Sequence, residues 1–254
     1  MYKFLYVMII YIFVYSHSIL ANELRVGVEY GYSPFSYLGE DNKPHGFDID
    51  IANAICDTLK VTCIIKHMEF IDLIPAMEAD KIDIIVASMA KTQERLKKID
   101  FSIAYYRARG VAIGKLGDIF SPNTNDLKDK SIAVQSGTIQ EVVAKELAHE
   151  STKIFVFDTF DEATNMLVNN KVDLILGDTL GAYFFLIEDE NSTKFEITGL
   201  LPESSNGDDL NYAFVGIKKN DHILRENINN AIQTIHQNGT LGNLSRKYFP
   251  FEIY

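Results

Sequence analysis

The stretch SMAKTQER, residues 88–95, follows an apolar run, IDIIVA at 82–87, and ends on an arginine. A planar guanidinium placed one helical turn past a buried strand presents paired N–H donors, which suit a carboxylate. From the residues alone, Arg95 would serve equally well in a surface ion pair with Glu94 or Asp100. Lys91, beside it, leaves open whether one cation or two face the same space. Other chemistry is missing. There is no Gly-rich phosphate loop, dinucleotide fingerprint or HExxH zinc motif. The six histidines are scattered, Ser136 lacks a nucleophile elbow, and no spacing singles out an acid–base pair. Binding, with no catalytic residue, metal ligand or cofactor, is the default expectation.

The elements that must position Arg95 follow from periodicity. Apolar runs at 24–28, 61–67 and 82–88 alternate with helical patterns at 47–59 and 73–79. The pattern restarts with a strand at 131–137, a helix from Ile139, strands at 153–157 and 172–178, and a helix at 162–168 between those two strands. The chain closes with a strand at 212–219, a long helix at 223–236 and a short amphipathic segment ending at Tyr248. Continuous apolar strands separated by helices predict α/β architecture with mostly parallel sheets covered on both faces. FIDL…KIDIIVA from Phe70 aligns without gaps on FDEA…KVDLILG from Phe160, at a constant offset of ninety residues. Two similar α/β lobes explain that repeat. Ser88 and Asp178 then fall at equivalent carboxyl ends of strands, where open α/β sheets bind ligands. A cleft between the lobes is expected, with crossovers near 107–114 and 207–214 and closure about a hinge.

The 254 residues are 47% hydrophobic and 23% charged, enough for one or two cored domains. A net charge of −11 and a pI near 5.0 argue against a nucleic-acid partner and are compatible with a cationic ligand. Lys3, an apolar run at 4–15 and then Ser16, Ser18 and Ala21 have the grammar of a cleaved signal peptide, with the cut after Ser18 or Ala21. Losing residues 1–21 takes Lys3 with it and moves the charge from −11 to −12. Export to a periplasm is expected, and Cys56 and Cys63, an even and closely spaced pair, then read as a disulfide.

GFDIDIANAICDTL (46–59), EYGYSPFSYLGEDNKPHGFDID (29–50), ERLKKIDFS (94–102) and QNGTLGNLSRKYF (237–249) resemble the solute-binding proteins of bacterial polar amino-acid ABC transporters. The resemblance spans essentially the whole mature chain. It is nearest the histidine- and lysine/arginine/ornithine-binding subgroup, which shares the spacing of Cys56 and Cys63. It implies a two-lobe, type II periplasmic binding fold with a two-segment hinge. Residues 22–108 and 210–254 would form lobe 1 and residues 109–209 lobe 2, after a signal peptide at 1–21. It implies a monomer that closes over one amino acid and delivers it to an inner-membrane permease.

Carried over by matched motif, Arg95 falls where the family clamps the ligand α-carboxylate, on a helix capped by Thr92. Thr138, Ile139 and Gln140 open a helix of capping-box form, ending at Glu141, whose N–H groups favour the same anion. Asp178 falls where the family meets the α-ammonium. Glu29 stands where an aspartate meets the distal cation, one methylene longer, which would shorten the available space. Tyr32 and Phe70 match aromatic positions that sandwich the ligand side chain, and Ser88 is retained as a polar candidate. Ala90 and Ile139 stand where the family carries hydroxyls, a loss of about 0.5–1.5 kcal/mol per hydrogen bond. Lys91 is expected at the cleft rim or in solvent. A basic amino acid is the expected ligand: arginine, lysine, ornithine or histidine. The alternatives are another polar amino acid, an opine, or a prephenate/arogenate dehydratase-like enzyme on the same fold.

Overall fold

The computed structural model describes residues 23–121, 127–188, 190–202 and 208–254; the leader expected at residues 1–21 lies outside the described residues. The chain opens with β1 (Glu23–Glu29), the small strands β2 (Tyr37–Leu38) and β3 (Pro44–His45), α1 (Phe47–Leu59) and β4 (Thr62–Met68). A 3-10 turn, Phe70–Asp72, leads into α2 (Leu73–Glu78), β5 (Ile84–Ile85), α3 (Gln93–Leu96) and β6 (Ile99–Arg107). Next come β7 (Gly110–Lys115), β8 (Ser131–Gln135), α4 (Ile139–Leu147), β9 (Lys153–Phe157), α5 (Phe160–Val168), β10 (Leu174–Asp178), α6 (Thr179–Ile187) and β11 (Phe195–Leu200). The chain ends with β12 (Tyr212–Lys218), α7 (His222–Gln237) and α8 (Thr240–Tyr248).

Two five-stranded sheets form, in the orders β4-β1-β5-β12-β6 and β11-β7-β10-β8-β9. In each, four strands run one way and one is reversed. The reversed strands are β12, antiparallel to β5 and β6, and β7, antiparallel to β10 and β11. The expected mostly parallel sheets are therefore present, and the two strands that carry the chain into each sheet from the other are the ones that break the direction. The tract 107–114 is narrower as a crossover than its sequence suggests, because β7 already begins at Gly110. The run at 82–88 shrinks to two paired residues, since its outer part opens toward the other lobe.

The ninety-residue repeat survives in backbone detail. After α2 and α5 the chain turns through left-handed Asp80 (φ 57°) and Asn170 (φ 53°), residue types that tolerate that region. Three residues later, Asp83 and Asp173 each accept the N–H of the opening of the neighbouring strand, from Arg25 (2.8 Å) and Ser131 (2.7 Å). The same bracket thus holds the same strand pair in both lobes.

In lobe 1, α1 buries Phe47, Ile51 and Ile55 at helical spacing. Phe35, Phe47, Tyr106 and Phe249 form an aromatic cluster, with ring centroids 5.3–6.2 Å apart. The C-terminal segment also reaches the second lobe, where Phe184 and Tyr183 of α6 meet Phe249 and Phe251 at 5.3 and 5.0 Å.

Cys56 of α1 and Cys63 of β4 are joined, with a Cα–Cα distance of 5.8 Å, as their spacing predicts. Closing so short a loop stabilises by about 2–3 kcal/mol in the chain-entropy account. Replacing both cysteines by serine is expected to lower the unfolding free energy by that amount, read as a lower urea midpoint, while leaving the circular dichroism spectrum intact. An unchanged midpoint would show that the bridge contributes nothing.

Candidate functional site

Strand ends from both sheets converge on one cavity between the lobes. It is lined by Glu29, Tyr32, Phe70, Ser88, Ala90, Arg95, Thr138, Ile139, Gln140 and Asp178, all ten residues singled out in the sequence. Tyr106, Gln135, Phe160, Leu210 and Tyr212 line it too, without having been anticipated. Phe160 was legible, because it is the repeat partner of Phe70.

Arg95 sits on the four-residue helix α3, whose N-cap is Thr92; the Arg95 N–H donates to Thr92 Oγ1 at 3.1 Å. Its guanidinium crosses the cleft. Nη1 donates to the Ala90 carbonyl (2.7 Å) and Nη2 to the Gly137 carbonyl of the other lobe (3.1 Å), with the Phe70 ring 5.3 Å away. The surface ion pairs that would have competed are taken elsewhere: Glu94 meets Lys97, and Asp100 meets Lys219 and Arg225. Removal from water pulls the Arg95 pKa down to about 10. Among the described residues the guanidinium makes two hydrogen bonds with its five N–H donors, leaving three for a ligand.

Opposite Arg95, Thr138 caps α4, accepting from the Glu141 N–H at 3.2 Å. The reciprocal half of the box shifts by one residue, since Glu141 Oε2 takes the Gly137 N–H (2.7 Å) rather than that of Thr138. The N–H groups of Ile139 and Gln140 lie in the first turn, where a helix has no carbonyls of its own to offer them. They remain an anion-favouring terminus.

Asp178 is the N-cap of α6. Its Oδ1 accepts from Leu180 (2.8 Å) and Gly181 (3.0 Å), and its Oδ2 from the Tyr32 hydroxyl. Burial still raises its pKa, against the pull of those donors. Tyr32 stacks on Phe35 at 4.6 Å and meets Phe160 edge-on at 5.4 Å. Glu29 is 1% exposed, and its Oε2 accepts from Gln135 Nε2 of the other lobe at 3.0 Å. Burial, then the nearby carboxylates Asp48 and Asp178, push its pKa well above the usual range.

Behind the cavity, Asp48 is fully buried and accepts from Ser88 Oγ (2.7 Å) and Tyr105 OH (2.8 Å). Burial raises it to about 7. Ser88 is thereby held at a left-handed φ of 52°, with its N–H donating to Tyr105 OH. Lys91 is not among the lining residues. Its ammonium lies 4.4 Å from the Phe214 ring and 3.7 Å from Asp209.

Two glycines let the lobes approach. Gly31 (φ +70°) and Gly137 (φ +73°) each face the other lobe, where a Cβ would fall 2.7 Å from Thr159 and 3.0 Å from Ile71.

Among the described residues, no group of three metal-ligating side chains is present. What the cavity offers is charge: two carboxylates, one guanidinium, and aromatic walls.

The profile of the bacterial extracellular solute-binding proteins, family 3, matches residues 24–251. The L-arginine-binding protein of Pseudomonas aeruginosa is 31% identical over 91% of this chain and 89% of its own length. The lysine/arginine/ornithine-binding periplasmic protein of Escherichia coli K12 is 29% identical over 94% of this chain and 92% of its own. Among solved structures, an ancestral arginine-binding protein bound to arginine superposes with a TM-score of 0.78 at 33% identity. That match covers 90% of this chain and 98% of the other.

The buried acids set a pH dependence. Folded Asp48, raised from 3.8 to about 7, keeps a proton that the unfolded chain has released. Its stabilising contribution is therefore complete below about pH 4 and is lost as pH rises through about 7. Asp83 and Asp100, held low by Arg25 and Lys219, act below that window. Burial of His67 acts in the opposite sense within it. Urea midpoints of ligand-free wild type and Asp48→Asn isolate the term. The wild type is expected to lose stability relative to the variant from about pH 4 to about pH 7, and a constant difference would contradict the assignment.

Proposed function

We propose that this chain, which belongs to family 3 of the bacterial extracellular solute-binding proteins, captures a basic L-amino acid in the periplasm and delivers it to an inner-membrane ABC permease. The lobes formed by residues 22–108 with 210–254 and by residues 109–209 would close on it as two bodies. The observation that carries the reading is the charge set of the cavity, where Glu29 and Asp178 face a single guanidinium, Arg95. A basic amino acid carries the complement: two cations and one carboxylate.

Each charge has a partner of matching chemistry. The three uncommitted N–H groups of Arg95 and the first turn of α4 receive the α-carboxylate. Asp178, already oriented by Tyr32 and its own helix, receives the α-ammonium. Glu29 receives the distal cation, whose arrival favours the ionised carboxylate that burial alone disfavours. Tyr32 and Phe70 flank the side chain. A neutral ligand brings no cation, so Glu29 stays in the protonated form that burial favours and the ion pair is forgone. Arginine, lysine, ornithine and histidine all meet these demands.

A second reading draws on the same acid. A dehydratase needs a protonated carboxyl beside a departing hydroxyl, and Glu29 is held toward that form. The head-group pair of Arg95 and Asp178 favours an amino acid that is bound and released unchanged. Formation of an aromatic product from prephenate would decide for the enzyme.

A thermal-shift panel over the twenty amino acids, ornithine and opines tests the binding reading. The largest rises are expected from basic amino acids. Arg95→Ala is expected to abolish the rise for every ligand, and Glu29→Gln to erase the preference for basic over neutral ones. A wild-type preference for glutamine or glutamate would contradict it.

A further inference from the structure

The strand registers relate the two lobes beyond the ninety-residue repeat. Val26 of β1 pairs with Ile84, and Ile132 of β8 pairs with Leu174, ninety residues after Ile84. β1 and β8 are thus twins at an offset of 106 residues, which makes Gly31 the twin of Gly137 and Glu29 the twin of Gln135. The two glycines share a positive φ of 70° and 73°, which supports the match. At the twin strand ends, an acid from one lobe faces an amide from the other.

Gln135 is 6% exposed and spends both amide hydrogens. Nε2 donates to Glu29 Oε2 at 3.0 Å and to the Asp158 carbonyl at 3.3 Å. The donors fix the amide plane and leave its oxygen, Oε1, as an acceptor. Glu29 likewise keeps Oε1, because the only hydrogen bond to its carboxylate among the described residues is through Oε2. Both side chains line the cavity.

We propose that Gln135 is a specificity-determining residue, the lobe 2 half of the subsite for the ligand's distal cation. This rests on the basic-ligand reading above. The subsite presents one acceptor oxygen from each lobe: a carboxylate oxygen from Glu29 and an amide oxygen from Gln135. A guanidinium or ammonium has at least two N–H groups and bridges both oxygens, so recognition of the side chain also ties the lobes together. A ligand ending in a methyl group or a lone acceptor engages neither. A second carboxylate at position 135 would provide the acceptors but repel Glu29. The amide supplies the oxygen while its N–H orients the acid.

Gln135→Met keeps the length and removes the polar atoms. Calorimetric titration of the full mature protein with arginine, ornithine, glutamine and methionine, the last ending in a methyl group, is compared for wild type and Q135M, with urea melts confirming the fold. Loss of a hydrogen bond to a charged group corresponds to roughly tenfold or more in affinity. Arginine and ornithine are expected to lose that factor in Q135M, with a fall of about tenfold in the ratio of basic to methionine affinity. If the wild type prefers basic ligands and Q135M keeps the ratio within about twofold, this proposal fails and the basic-ligand reading stands. A wild type that prefers glutamine overturns both. Should methionine unfold the ligand-free protein, Gln135→Leu supplies the same comparison.

Discussion

Carboxylates removed from water must find donors, cations or protons, and the architecture of this cleft follows from that demand. Glu29, Asp48 and Asp178 are all pushed upward in pKa by burial. Each is answered by neutral donors: Gln135 for Glu29, Ser88 and Tyr105 for Asp48, and Tyr32 with two helix N–H groups for Asp178. Hydrogen bonds of this kind orient a carboxylate without cancelling its field. The cost of burying the charge remains, and a bound cation relieves it. Under the proposed function, preference for a basic ligand resides in the ligand-free protein, in acids that neutral donors only partly satisfy.

Duplication supplies the geometry. Two sheets of matching order place the carboxyl ends of their strands against each other, so a residue at the end of β1 or β5 has a twin at the end of β8 or β10. The twins have diverged in charge while keeping position: Ser88 against Asp178, Glu29 against Gln135. Arg95 reaches the Gly137 carbonyl and Gln135 reaches Glu29, so both lobes contribute to each end of the cavity. A ligand placed there replaces or supplements contacts between the lobes, which is how binding and closure become one event.

Much of this was legible in the sequence, because apolar periodicity and a gapless repeat mark buried strands and helices. The lobes, the Thr92 and Thr138 caps, and the ten lining residues all follow from strand ends plus matched motifs. Other features escaped for physical reasons. β7 read as part of the crossover at 107–114, and β6 went unassigned, because Arg107 and Arg109 interrupt an apolar run just where the chain changes sheets. α6, TLGAYFFLI, is apolar almost all round, so it carries no helical period and extends the preceding strand in appearance. Asp48 lay hidden inside an ordinary first-turn acidic pattern, where an exposed helix-dipole role is the usual expectation. Gln135 needed the second offset of 106 residues, which only the strand registers reveal.

The central claim is that one basic amino acid lies with its carboxylate on Arg95, its α-ammonium on Asp178 and its distal cation on Glu29. A crystal structure of the mature protein grown with arginine or ornithine tests it directly. The account predicts the carboxylate against Arg95 and the first turn of α4, and the side-chain nitrogen against Glu29, with the lobes closed around it. A ligand bound in the reverse orientation, or one whose side chain leaves Glu29 unengaged, would contradict it.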